Sequence, residues 1–322
     1  MKTKRAILVE PGRFELEQVD ISPKPDELLV KIASCGLCNW ELNHWRGLLG
    51  TYPQTLGHEW SGIIVEVGNE VEGFAAGDAI ATFPPPDNSK LEGFSEYATV
   101  STMQCIKIPK TVDIKYALAE PLKCIITVLR ATAPEAGDNG VLLGCGPMGL
   151  WCTQALSGNL FNSLIAVDID DERLKKAKSY GATHTINPQN ENVLDRLNDI
   201  TDGHFADFVI EGTGIPAMMN TGLTYLKHSG RGRLIMMSSH EEITKEFSFK
   251  MAMEKSAMIK VAHAFFSHNQ YDDLRRAVLM VEKEVFRIKE IVTHEFKLED
   301  INIAFNALEN KPAGYLKGIV VP

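Results

Sequence analysis

The residues best suited to chemistry stand together in a short segment from Gly57 to Gly62. His58 and Glu59 are neighbours in it, and an apolar run from Ile63 to Val67, which predicts a strand, follows almost at once. An imidazole and a carboxylate held against a strand are potential metal ligands. A solvated turn before a strand is the ordinary alternative, so the assignment depends on further ligands elsewhere in the chain.

Two other segments supply residues of the same kind. Cys38 lies upstream in the C-x-x-C sequence that begins at Cys35, and Glu120 opens a Glu-Pro-Leu run downstream. Cys, His and Glu are ligand types that suit zinc, and a catalytic zinc takes three protein ligands and leaves one position open. The sequence therefore offers Cys38, His58, Glu59 and Glu120 as candidate ligands of a zinc site.

A glycine-rich loop predicts a second ligand site. The apolar strand from Asn139 to Leu143 leads into Gly-Cys-Gly-Pro-Met-Gly at 144–149, which opens a helix, and a second strand ends in Asp168. This context makes the pattern a Rossmann fingerprint, in which the glycines permit a tight turn, the approach of the pyrophosphate and close packing of helix on strand. Polar residues at the carboxyl ends of later strands are further candidates, because α/β sheets bind ligands at the carboxyl edge of the sheet. The candidate cofactor-binding residues are Gly144, Gly146, Pro147, Met148, Gly149, Asp168, Ile169, Arg173, Thr213 and Ser238.

Asp168 favours NAD over NADP. Its carboxylate is placed to bond the ribose 2′-hydroxyl and would repel a 2′-phosphate, and the adjacent Ile169 offers no guanidinium to receive one. The alternative for Asp168 is a helix cap at the end of a strand.

These motifs resemble a known family. The run from Gly57 to Gly68, with Val71 beyond it, is similar to the zinc signature of the medium-chain alcohol and polyol dehydrogenases, and the Cys38 and Glu120 segments fall where that family carries its other metal-site residues. The resemblance covers nearly the whole chain. It implies an α/β protein with a GroES-like, mostly β catalytic domain and a Rossmann domain, a doubly wound parallel sheet, inserted into it.

The resemblance also implies an activity. The Glu-Pro-Leu run at Glu120 is more similar to the sorbitol and threonine dehydrogenase branch than to the simple-alcohol branch. The expected reaction is a zinc-dependent hydride transfer between NAD and a secondary alcohol of a polyol, sugar or cyclitol. Two alternatives remain open: a zinc-free reductase of quinones or alkenes with the same fold, and a non-catalytic NAD-binding regulator.

The strand and helix patterns agree with two domains. A chain of 322 residues exceeds the size at which one core usually stops growing. From Arg5 to about Val112, short strands broken by Pro and Gly predict a mostly β domain, and strands alternating with helices after Lys115 predict a parallel sheet covered on both faces. We expect residues 1–115 and 270–322 to form the catalytic domain and residues 116–269 the NAD-binding domain.

The resemblance implies roles for the site residues. Cys38 would bind zinc as a thiolate and His58 as a neutral imidazole, while one of Glu59 and Glu120 binds the metal and the other holds its water. Zinc would lower the pKa of the substrate alcohol from about 16 towards neutrality. Glu41 matches a carboxylate that orients the ligating His; its alternative is a plain solvated carboxylate.

Two departures from the family pattern concern the proton. Where the family has Gly and then a Ser or Thr that relays the substrate proton, this chain has Asn39 and Trp40, and an indole N–H can only donate. Asn43 takes the place of a frequent His, with His44 one residue later. The proton acceptor is therefore either the zinc-bound water with Glu120 or His44, whose alternative is an ordinary surface histidine.

Aromatic residues near the metal motifs predict a substrate surface. Indole faces suit a sugar or cyclitol ring, and nearby polar side chains suit its hydroxyls, although at least one indole, that of Trp60 beside its strand, is expected in the core. The residues concerned are Trp40, Trp45 and Trp60, with Asn43, His44 and Arg46 for the hydroxyls. The catalytic candidates are Glu59, Glu120 and His44.

Composition limits the partners. The formal net charge of −9 argues against nucleic acid and anionic membranes. No apolar run is long enough to span a membrane and no signal peptide is evident, so a cytoplasmic protein with six reduced cysteines is expected. The family often carries a structural zinc on four cysteines in a lobe at this point, but here the segment from Thr82 to Glu92 has no Cys and no second C-x-x-C pairs with Cys35 and Cys38. The resemblance therefore implies one catalytic and no structural zinc. The expected partners are a small-molecule alcohol and, from the resemblance, further copies of the chain in a homodimer or homotetramer.

Overall fold

The computed structural model describes residues 1–85, 91–228, 230–238 and 247–322. Residues 86–90 of the Cys-free segment lie outside the described residues. The chain forms two compact units, residues 1–123 with 269–322 and residues 124–268. No helix in the described ranges combines the length and the apolar character that a membrane span requires.

Strands dominate the first unit and alternate with helices in the second. In chain order the strands are β1 Lys2–Glu10, β2 Arg13–Asp20, β3 Glu27–Gly36, β4 Gln54–Thr55, β5 Trp60–Val67, β6 Ala79–Thr82, β7 Tyr97–Ser101, β8 Cys105–Lys107, β9 Asn139–Leu143, β10 Ser163–Val167, β11 His184–Ile186, β12 Phe208–Glu211, β13 Arg233–Met236, β14 Met258–Val261, β15 Val292–Lys297 and β16 Lys317–Val321. The helices are α1 Asn39–Trp45, α2 Ala119–Thr132, α3 Pro147–Ala155, α4 Asp171–Ser179, α5 Val193–Ile200, α6 Met218–Tyr225, α7 Phe249–Glu254, α8 Gln270–Glu282 and α9 Ile301–Asn310.

The first unit is built on two sheets. The smaller has the order β2-β1-β4, and the larger has the order β15-β16-β3-β5-β6-β8, with β7 also paired to β3. Nearly every residue of β3 is buried, so this strand lies at the centre of the unit. Leu8, Phe94 and Phe305 belong to the apolar cluster that the sheets and α9 enclose. The expected mostly β unit is confirmed.

The second unit is a six-stranded parallel sheet in the order β11-β10-β9-β12-β13-β14. The chain runs outward from β9 to β11 and then returns to β12 on the other side of β9. Neighbouring connections thus leave in opposite directions at β9 and β12, and such a switch point forms a crevice for ligands at the carboxyl ends of the strands. The predicted doubly wound fold is confirmed.

Two local features of this unit bear on the site. Helix α1 was not anticipated, although it begins directly after Cys38. Strand β7 begins at Tyr97, and shortly before it the backbone N–H groups of Gly93 and Phe94 bond to the carbonyls of Gly57 and Leu56. Gly57 has a φ of +104°, and a Cβ there would lie 2.6 Å from the nitrogen of Phe94. This turn therefore requires glycine and fixes the entry to the His58 segment.

Candidate active site

Adjacent strands bring the predicted ligands together. Strands β3 and β5 pair antiparallel, with Cys35 opposite Trp60. Residues that follow the end of β3 therefore face residues that precede β5. Cys38 lies in the first group, and His58 and Glu59 lie in the second.

Cys38, His58 and Glu59 form a cluster able to hold a metal ion. One ligand atom from each residue lies within 4.8 Å of the other two. A tetrahedral zinc with bonds of about 2.0 to 2.3 Å would separate its ligand atoms by roughly 3.5 Å, so small side-chain adjustments suffice. One sulfur, one nitrogen and one carboxylate oxygen form a donor set suited to a catalytic zinc.

Glu41 lies behind His58 and is fully buried. Its Oε1 is 3.0 Å from Nδ1 of His58, and its carboxylate also accepts the backbone N–H groups of Cys38, Gly57 and His58. The Nε2 atom of the ring is thereby left for a metal, an arrangement typical of metal-binding histidines. Burial alone would lower the pKa of His58, but the charge and hydrogen bond of Glu41 raise it well above its usual value. The alternative of a solvated Glu41 is therefore wrong.

Glu59 is buried beside a lysine that the sequence reading missed. A Cβ at Gly36 would lie 2.1 Å from Oε2 of Glu59, so glycine at that position makes room for the carboxylate. The same oxygen lies 2.5 Å from Nζ of Lys317, whose side chain is 7% exposed. Burial would lower the pKa of Lys317, but the negative charge of Glu59 raises it. The signal available in the sequence was the position of Lys317, a lysine at the start of the apolar run that forms β16.

Glu120 reaches the same cluster from the first turn of α2. Its Oε2 lies 3.8 Å from Nε2 of His58, and its Oε1 lies 3.1 Å from Nζ of Lys123. Burial would raise the pKa of Glu120, but the positive charges of Lys123 and His58 lower it below the usual value. Both carboxylates proposed for the third ligand position thus lie at the cluster, each beside a buried lysine.

The aromatic residues divide between the site and the core. The ring centroid of Trp40 lies 5.4 Å from that of His58 and 4.3 Å from that of His44, which is buried rather than a surface histidine. Trp40, His44 and Gln54 are among the residues lining a cavity of about 440 Å³. Trp60 is in the core, as expected.

One expected substrate contact is wrong, and the side chain of a second residue pairs elsewhere. Trp45 packs in the core against Phe14 and Phe305, because a large buried indole gains more from aromatic neighbours than from facing a polar site. Arg46 turns to Glu309, with 3.1 Å between Nε and Oε1. Asn43, the remaining polar candidate, is half-buried in α1.

The glycines of the Rossmann loop have the geometry that their pattern predicts. Gly144 has a φ of +92°, which gives the tight turn after β9. A Cβ at Gly149 would lie 2.0 Å from the carbonyl oxygen of Gly144, so glycine allows α3 to pack on the strand. A Cβ at Gly146 would meet nothing within 4 Å, so its face is open. Pro147 and the half-buried Met148 begin α3, whose N-terminus is a suitable place for an anion.

The other candidate cofactor residues lie at the carboxyl ends of the strands. Asp168 follows β10, and its carboxylate accepts the N–H groups of Cys145 at 2.6 Å and Asp170 at 2.9 Å. Ile169 is exposed. The remaining contacts are Arg173 Nε to Asp170 Oδ2 at 3.5 Å, Thr213 N to Glu211 Oε1 at 2.6 Å, and Gly214 N to Ser238 Oγ at 3.1 Å.

Comparisons with known proteins agree with this geometry. A family described as "Alcohol dehydrogenase GroES-like domain" matches residues 24–110, and one described as "Zinc-binding dehydrogenase" matches residues 147–281. The L-threonine 3-dehydrogenase of Pyrococcus abyssi is 32% identical over 265 residues, which cover 73% of this chain and 74% of that protein. The sorbitol dehydrogenase of Ovis aries is 28% identical, covering 92% of this chain and 90% of that protein.

A solved structure extends the comparison to three dimensions. A protein of Sinorhizobium meliloti 1021 described as a zinc-binding dehydrogenase, with bound NADP, superposes with a TM-score of 0.88 at 25% identity and covers 100% of both chains. The fold, the donor set and the sequence relationships lead to one conclusion. The chain belongs to the family of zinc-dependent medium-chain alcohol and polyol dehydrogenases.

Proposed function

We propose that this dehydrogenase is NAD-linked and oxidises a secondary alcohol of a polyol, sugar or cyclitol. The observation that carries the proposal is the cluster of Cys38, His58 and Glu59, with Glu41 holding the His58 ring. The relatives named for L-threonine and sorbitol support a substrate with a secondary hydroxyl among other polar groups. We assign catalysis to the unit of residues 1–123 and 269–322 and NAD binding to residues 124–268.

Cys38, His58 and Glu59 are the proposed metal ligands. A fourth position then stays open, where zinc when bound supplies Lewis-acid activation of the alcohol. We place the first proton acceptor at Glu120, since its Oε2 faces Nε2 of His58. Trp40 contacts both histidine rings, and its N–H only donates, so a proton path to His44 does not run through the indole.

The cavity lined by Trp40 and His44 supports a polyol substrate. Its volume of about 440 Å³ lies in the range of small-molecule sites. The indole offers an apolar face to a sugar ring, and Gln54, Thr55 and Arg5 line the same cavity with polar groups. These residues form the proposed substrate surface in place of Trp45 and Arg46.

Three further assignments complete the proposal. We propose a single catalytic zinc, because the described residues contain one metal-suited cluster and the chain has no second C-x-x-C. We propose NAD rather than NADP, because the Asp168 carboxylate would repel a 2′-phosphate and Ile169 beside it has no positive charge to bind one. All six cysteines are free, which fits a reducing compartment such as the cytoplasm.

An exposed edge supports a homo-oligomer. Strand β14 pairs with β13 on one side only, among the described residues. Met258, Ile259 and Val261 in it are exposed. An unprotected apolar edge strand invites pairing with another chain, so we propose that two copies associate through β14.

Metal analysis and turnover test the proposal. Purified protein should contain about one zinc per chain by elemental mass spectrometry and lose it in the Cys38→Ser variant, whereas Cys124→Ser, a second partly exposed cysteine, should retain it. A panel of polyols, sugars and cyclitols should show turnover with NAD and less with NADP. No zinc under metal-replete conditions would favour the zinc-free reductase, and zinc without turnover on any member of the panel would favour the regulator.

A further inference from the structure

Lys123 is a buried cation that the reaction as described does not use. Its side chain is 2% exposed, and Nζ lies 3.1 Å from Glu120 Oε1 and 2.9 Å from Gln270 Oε1. The ammonium also lies 5.4 Å from the ring centroid of Phe83. A buried ammonium is costly without such partners, so the site is built around this charge.

The two oxygens of Glu120 face different groups. Oε1 is held by Lys123, while Oε2 faces Nε2 of His58 at 3.8 Å, the ring nitrogen that Glu41 leaves for the metal. Glu120 therefore has one oxygen in an ion pair with Lys123, one helical turn further along α2, and the other near the ring nitrogen left for the metal.

The charged groups around the metal cluster support a specific role for Lys123. A bound zinc would have four anionic neighbours, namely the Cys38 thiolate and the carboxylates of Glu41, Glu59 and Glu120. The ammonium groups of Lys123 and Lys317 place positive charge beside two of these carboxylates, those of Glu120 and Glu59. Without Lys123, Oε1 of Glu120 would lose the ammonium that lies 3.1 Å from it, and the cluster would carry one more net negative charge.

We propose that Lys123 is a positioning residue that keeps Glu120 out of the metal coordination, so that the fourth position stays available to the substrate. The inference rests on the proposed function, because it presumes zinc on Cys38, His58 and Glu59. Four protein ligands make a closed, structural type of zinc site, whereas a catalytic site keeps one position open. With Lys123 absent, Glu120 becomes the fourth ligand.

The inference predicts opposite changes in metal binding and turnover. In Lys123→Met, zinc affinity should rise and kcat should fall, each by about tenfold to a hundredfold. A lysine that only packs the site would lower both quantities together. In Lys123→Arg the charge remains, so zinc affinity should stay within about threefold of the wild type.

The experiment is a zinc competition titration against a chromophoric chelator, with the visible spectrum of the cobalt(II)-substituted protein as a second readout. Lys123→Met should alter the cobalt spectrum through an added oxygen ligand, and adding Glu120→Gln to that variant should restore it. Lys255→Met removes another buried lysine, whose Nζ donates to the carbonyl of Thr224 at 2.8 Å, and serves as the matched control with unchanged zinc affinity.

A second variant keeps the test decisive if Lys123→Met does not fold. Glu120→Gln in the wild-type background should leave zinc affinity within about threefold, because Glu120 is held off the metal, whereas loss of a true ligand would weaken zinc tenfold or more. Unchanged or weaker zinc binding in folded Lys123→Met, or strong loss in Glu120→Gln, overturns the inference. A wild type that binds no zinc would instead overturn the proposed function.

Discussion

Oε1 of Glu41 and Nδ1 of His58 lie 3.0 Å apart in a buried contact, and the same oxygen accepts the backbone N–H of Gly57 at 2.8 Å. One carboxylate thus fixes both the ring and the turn that delivers it. With Nδ1 donating to Glu41, Nε2 is the ring nitrogen of His58 that is left for a metal.

Replacing Glu41 should weaken the metal site without removing a ligand. In Glu41→Gln the amide has no charge to hold the ring, so zinc affinity should fall about tenfold to a hundredfold. Chelator competition measures the effect. Glu66→Gln on the exposed part of β5 is the control and should behave as the wild type. Equal zinc affinity in both variants would contradict the role of Glu41.

Zinc uptake by the metal-free protein should release protons. Burial and the Glu59 carboxylate raise the pKa of Cys38, and Glu41 raises that of His58 despite its burial. Both groups are therefore protonated near neutral pH, while zinc requires both deprotonated. Binding should release about two protons and become tighter as pH rises.

The raised pKa of His58 also makes the stability of the metal-free protein depend on pH. A His58 pKa above its unfolded value stabilises the metal-free protein at low pH, and this contribution is lost as pH rises through the folded pKa.

Calorimetric zinc titrations in two buffers of different ionisation enthalpy count the protons released when zinc binds. Cys38→Ser should release fewer, and a wild type that releases none would contradict the protonation states described.

Substitutions at two glycines of the Rossmann loop should have different effects, one on NAD binding and the other on stability. Gly146→Ala meets no protein atom within 4 Å, so the unfolding temperature should change little while NAD binding weakens by about tenfold, or ~1.4 kcal/mol. Gly149→Ala would place Cβ 2.0 Å from the Gly144 carbonyl oxygen and should cost about 1 to 3 kcal/mol of stability. Thermal unfolding without NAD and calorimetric NAD titration measure the two effects. Undiminished NAD binding in Gly146→Ala would remove the loop from the cofactor site.

A charge on the exposed edge strand should prevent association. Val261 is 55% exposed in β14, and Val261→Lys would bury an ammonium in a strand-to-strand interface. Light scattering should show a lower mass for this variant than for the wild type. Leu194→Lys, an exposed apolar position on α5, is the control and should leave the mass unchanged. A wild-type mass retained by Val261→Lys would exclude β14 as the contact.

Local patterns made much of this chain predictable. Asn139–Leu143 was predicted as a strand with the bounds that the structure has. Gly144 and Gly149 after it have the predicted geometry, because a positive φ at the first and close packing at the second leave no other residue type. The seven-residue α1 was missed, since so short a helix has little periodicity. Without α1, the burial of Glu41 and the core position of Trp45 could not be foreseen.

The sequence by itself determined the donor types of the metal site and the nucleotide loop, because spacing within a short segment restricts both. Only the tertiary structure decided which charges surround them. Lys317 comes from the last strand and Lys123 from α2, and each meets its carboxylate because strand pairing and helix packing enclose them in one low-dielectric site. Such pairings depend on burial and on contacts between distant segments, which no local pattern records.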